Sequence, residues 1–136
     1  MSARDVDDLA ARFAAAALPK DEWTHLAVGA WHVHHYGPHE ALARLRTGIR
    51  RLNDAHGTPN SATSGYHESV TRAYLRLLAH FLASCPVAMP LGERVARLVA
   101  GPLAAKDLLF QFYSRERLMT PTARAEWVEP DVAPLP

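Results

Sequence analysis

Eight histidines occur in this chain, five of them between His25 and His39. Imidazole changes its protonation near neutral pH and is the commonest metal ligand, so the clustering points to a site. On a helical wheel at about 100° per residue, Glu22, His25, Gly29, His32 and Tyr36 fall within one arc of about 80°. Glu22-x-x-His25 sets a carboxylate and an imidazole on neighbouring turns, a spacing that lets both reach one ion. Gly29 costs roughly 1 kcal/mol in a helix interior relative to Ala, and its bare backbone leaves space between His25 and His32. His34, His35 and His39 read as surface histidines bonded to water or carbonyls.

A second group stands at Gly65-Tyr66-His67-Glu68-Ser69-Val70-Thr71, where another helix begins directly after a loop. His67, Thr71, Tyr74 and Leu78 share one face of that helix. The segment starts like a zincin, but Thr71 stands where the second histidine must be. A ferritin-like di-iron site needs two Glu-x-x-His repeats, and only Glu22-x-x-His25 is present. What remains is a composite site made by packing the two helices together. His25 and His67 would be ligands, with Glu22 or Glu68 as the carboxylate, for one divalent transition metal: Zn, Fe, Mn or Ni. His32, Thr71 and Tyr74 would line the pocket, and in an enzyme Glu68, adjoining the loop, is the expected base.

Two other readings stand beside this one. In a metal-free binding module, the same His, Tyr and Thr side chains hydrogen-bond a small organic ligand between helices. A structural or interaction protein would use the apolar helices and the Pro-rich tail to pair with itself or a partner. The bland reading of His67 and Glu68 is an ordinary helix-start pair, the histidine on a carbonyl and the glutamate near the positive end of the dipole.

Apolar periodicity supplies the elements that position these residues. Val6, Leu9, Ala10, Phe13, Ala14 and Ala17 predict a helix from Ala3 to Ala17. Asp21 caps a second, running to about Tyr36 and ended by Gly37-Pro38; a third covers about His39 to Ala55. Residues 57–65 form the longest loop, and a fourth helix spans about Tyr66 to Ser84. Leu91 to Ala100 and Leu103 to about Tyr113 read as two more, and Thr120-Pro121 begins a short one reaching Trp127. No stretch alternates with period two, so the expectation is an all-α fold. It is a single compact helical bundle of about five to six helices over residues 1–128, with an extended Pro-rich C-terminal tail over 129–136.

Composition narrows the function. The 136 residues are 49% hydrophobic and 21% charged with a formal net charge of +1, the balance of one globular domain. That charge offers no reason for nucleic-acid or membrane binding, so the expected partner is a small-molecule ligand or substrate, with a homo-oligomer left open. No apolar run approaches the roughly 18 residues of a membrane span, and Asp5, Asp7 and Asp8 do not fit a targeting peptide, which leaves the cytoplasm as default address. Arg44, Arg46, Arg50 and Arg51 read as a solvated face, and Cys85 as a structural thiol. Tyr113-Ser114-Arg115-Glu116-Arg117-Leu118 either closes over the site or ties the last helix to the body through ion pairs. The Gly-x-Ser-x-Gly, phosphate-loop and dinucleotide fingerprints are missing.

Several segments together resemble a family of small uncharacterised all-α bacterial proteins. They are Glu22-Trp23-Thr24-His25-Leu26-Ala27-Val28-Gly29, His56-Gly57-Thr58-Pro59-Asn60, Gly65-Tyr66-His67-Glu68-Ser69-Val70-Thr71-Arg72-Ala73-Tyr74 and Tyr113 to Leu118. The resemblance spans most of the chain. The family's first motif often reads Trp-Thr-His-x-x-His-Leu, whereas here one histidine precedes Leu26. If His25 matches the second histidine of that motif, Glu22 takes the place of the first, either replacing an imidazole ligand or weakening the site. The resemblance implies a shared polar site and supplies no substrate.

Overall fold

Ser2 opens the first helix. Its hydroxyl accepts from the Asp5 N–H at 3.2 Å while its own N–H donates to Asp5 Oδ2 at 3.1 Å, a capping box. A computed structural model describes residues 2–19 and 22–136, and of residues 3 and 22–24 the backbone alone. The first helix, α1, is Ala3–Ala14, three residues shorter than its alanine run predicts. The Ala17 N–H reaches Arg12 O at 2.8 Å and the Ala16 N–H reaches Phe13 O at 2.9 Å, the paired bonds of a Schellman turn. Ala16 takes φ 55 to make it. An alanine in a position usually held by glycine leaves no mark in the sequence. The Asp21 cap lies outside the described residues.

Helix α2 (Glu22–Ala55) is interrupted at Gly37, whose φ of 76 and ψ of 163 only glycine adopts readily. Pro38 follows as the first residue of the second arm, where its missing N–H is no loss. The two arms are the two helices expected on either side of Gly37-Pro38. Residues 57–65 then fold around Asn60. Its Nδ2 donates to Arg50 O at 3.1 Å and Asp54 Oδ1 at 3.2 Å, and its Oδ1 accepts from Tyr66 N at 3.0 Å. This places the start of α3 (Glu68–Ser84) firmly. Helix α4 is Leu91–Ala100.

Two 3-10 turns, Pro102–Ala104 and Leu108–Gln111, stand where one helix was expected over Leu103 to Tyr113. Ala105 is extended between them, and Leu108, Leu109 and Tyr113 are buried against α3 and the C-terminal segment. Packing overrides local helix preference here. Short helices α5 (Arg115–Leu118) and α6 (Pro121–Ala125) follow, capped by Ser114 and Thr120. The last eight residues form no helix, bend at 131–133 and are packed onto the bundle. Val132 N and Ala133 N donate to Phe112 O at 2.9 and 3.2 Å, Asp131 accepts from Ser114 N at 2.7 Å and Oγ at 2.6 Å, and Leu135 is buried.

The fold is thus an all-α bundle with two apolar clusters. The larger joins α1, α2, α3 and α4; the smaller joins α3 to the 3-10 turns, α5 and Leu135. Helix α3 belongs to both, so the seam between them runs along it. Among the described residues no helix is long and apolar enough to cross a membrane.

Candidate functional site

His67 is the N-cap of α3. Its Nδ1 accepts from the Val70 N–H at 3.1 Å and its Nε2 donates to Leu118 O at 2.8 Å. Burial is the main cause that lowers its pKa below 6.5, which favours this neutral ring. Both nitrogens are spent on the backbone, so no lone pair is left for the metal that the spacing suggested. The helix-start reading of this residue, with a carbonyl as partner, describes what is found.

Glu68 is equally committed. Arg46 Nε donates to Oε1 at 3.0 Å, Arg46 Nη2 to Oε2 at 2.6 Å, and the Tyr66 hydroxyl to Oε1 at 2.7 Å; Arg72 Nη1 stands 4.0 Å from Oε2. Burial pushes the carboxyl upward, but the hydrogen bonds from Arg46 and Tyr66 and the charges of Arg46 and Arg72 outweigh it and hold the pKa below 4.5. With both oxygens engaged by Arg46 and Tyr66 and its pKa held below the ordinary value, this carboxylate is poorly suited to the general-base role expected of Glu68. Tyr66, buried and then bonded to Glu68, is pushed up to about 12 and stays a donor. Arg46, read from the sequence as part of a solvated face, is the partner that explains Glu68.

The second-helix stripe separates. His32 is buried, its Nδ1 donating to Val28 O at 2.8 Å, with its ring edge-on to Phe13 and Trp31 at centroid distances of 5.4 and 5.0 Å. It is not part of the cavity described next, which corrects its expected place as a pocket residue. The Glu22 side chain lies outside the described residues. His25 is exposed and does border the cavity. Among the described residues no group of three or more His, Cys, Asp or Glu is placed to hold a metal ion.

Thr71 and Tyr74 also border that cavity, a space of about 500 Å³ at the seam between the two apolar clusters. Phe13 of α1, Leu26 and Leu45 of the two arms of α2, Leu78 of α3 and Leu109 and Leu118 of the C-terminal elements form its apolar wall. A Cβ on Gly29 would stand 2.8 Å from Leu78 Cδ1, so this glycine admits a leucine from α3 and does not leave an open gap between histidines. The cavity opens to solvent past His25, Lys106, Arg115 and Met119, all exposed. The i, i+3, i+4 spacing reveals Thr71, Tyr74 and Leu78 as one face. Nothing local marks Lys106 or Arg115, which reach the rim from non-helical or very short segments.

Compared with protein-family models, curated proteins and solved structures, the chain matches none.

Proposed function

We propose that the protein is a small-molecule-binding module whose ligand is largely apolar and sits between α2, α3 and the C-terminal elements. The observation that carries this reading is the cavity itself. Interiors are close-packed, so a gap of about 500 Å³ walled by leucines, phenylalanines and valines forfeits dispersion contacts that a ligand would restore. Its size lies within the roughly 300–1,000 Å³ of small-molecule sites, and Thr71 borders it with a hydroxyl that donates to His67 O at 2.9 Å and keeps its acceptor capacity. Catalysis is not needed to account for any of these residues, and binding through them is independent of a metal.

The test is a titration with 1-decanol and naphthalene as apolar probes, followed by amide NMR shifts with and without EDTA. Shifts on Leu26, Leu78 and Leu109, unchanged by chelator and abolished in Ala104→Phe, which fills the wall, are expected. Absence of binding by either probe, or equal binding by the filled variant, would overturn the reading.

A further inference from the structure

The cavity rim is one-sided in charge. Lys106 and Arg115 border it, while the described lining contains no Asp or Glu. The carboxylates next to them in sequence, Asp107 and Glu116, are not part of the lining. Among the described residues neither cation forms an ion pair; the carboxylates that do pair are Glu40, with Arg44, and Glu68, with Arg46 and Arg72. Other arginines are consumed internally: Arg94 donates to carbonyls of Leu82, Pro86, Val87 and Met89, and Arg124 to Gly65 O.

Arg115 is also positioned. Its guanidinium carbon lies 4.6 Å from the centroid of the Phe110 ring, itself a wall of the cavity, so the charge rests over the apolar lining. Met119, 51% exposed, extends apolar surface outward beside it. A wholly apolar ligand would use the interior and ignore this rim. A cationic one would be repelled by it.

We propose that the ligand is an amphipathic anion, an apolar chain or ring bearing a carboxylate, with its tail in the seam and its head between Lys106 and Arg115. This rests on the cavity being a ligand site. Exposed charge pairs contribute modestly and are screened by salt, so the head selects among ligands while the tail supplies most of the affinity.

Decanoate, 1-decanol and decyltrimethylammonium share one chain and differ in charge. Calorimetric titration at low ionic strength, on the native protein and on Lys106→Gln/Arg115→Gln, separates the two ideas. Native protein should prefer decanoate over decyltrimethylammonium by about tenfold, and the double variant should bind decanoate about fivefold more weakly, with 1-decanol changed by less than about twofold. Added salt should narrow the preference. Binding of 1-decanol without any preference for decanoate, or an equal loss of both in the variant, overturns the anionic head and leaves the cavity reading standing. Failure of all three compounds to bind the native protein overturns both.

Discussion

Arg46 grips Glu68 side-on across 22 residues of sequence, Nε to Oε1 at 3.0 Å and Nη2 to Oε2 at 2.6 Å, and so ties the second arm of α2 to the first turn of α3. The Glu68 side chain is 9% exposed and that of Arg46 38%, so removing the carboxylate strands a guanidinium that water still reaches. Glu68→Ala should therefore cost about 2–3 kcal/mol, below the value for a fully buried pair. Urea unfolding of Arg46→Ala, Glu68→Ala and the double variant checks this. A coupling energy near zero would mean that the two groups do not stabilise each other.

Acid should weaken the fold in two stages. His67 and His32 have lowered pKa values, chiefly through burial, so the unfolded chain binds protons first and stability falls as pH drops below about 6.5. The carboxyl of Glu68 is held below 4.5, so its contribution is present above that value and is lost as pH falls through the folded value. His67→Asn keeps a capping side chain but cannot titrate. Its urea midpoint should change less with pH than the native one between about pH 6.5 and pH 5. An unchanged slope would remove His67 from the account.

The bundle was legible wherever the deciding chemistry is local. Gly37-Pro38 breaks a helix through its own backbone, and Thr120-Pro121 starts one, without help from the rest of the chain. Thr71, Tyr74 and Leu78 follow from helical spacing alone. His67 and Glu68 stand out by type and position, but their spacing does not name the protein groups they bond. What fixes them is Leu118, 51 residues later, and Arg46, 22 residues earlier, and no spacing rule reaches that far. The end of α1 carries no signal in the sequence because Ala16 does what glycine ordinarily does.

That alanine offers a gain in stability. At φ 55 its Cβ crowds the backbone at a cost of about 1–2 kcal/mol, whereas glycine pays only with entropy in the unfolded chain. Ala16→Gly should raise stability by about 0.5–1 kcal/mol, read as a higher urea midpoint at unchanged slope. A lower midpoint would show that the Schellman turn tolerates alanine without strain.

Two glycines of α2 face different neighbours, and the same substitution should separate them. A Cβ on Gly48 would overlap several ring atoms of Phe13, which is 4% exposed, packed in the larger cluster and edge-on to His32, so although this ring also borders the cavity it must move as a body and break that packing. Gly48→Ala should cost about 1–3 kcal/mol. On Gly29 the Cβ meets only Leu78 Cδ1, the end of a side chain that borders the cavity and has room to turn into it. Better helix propensity, worth about 1 kcal/mol, then offsets the displacement, and Gly29→Ala should unfold within about 0.5 kcal/mol of the native protein. The displaced leucine narrows the cavity, so 1-decanol should bind this variant several-fold more weakly although the fold is no less stable. Native-like affinity in Gly29→Ala, measured beside the urea curve, would mean that Leu78 turns away from the cavity and that the ligand does not reach the contact between α2 and α3.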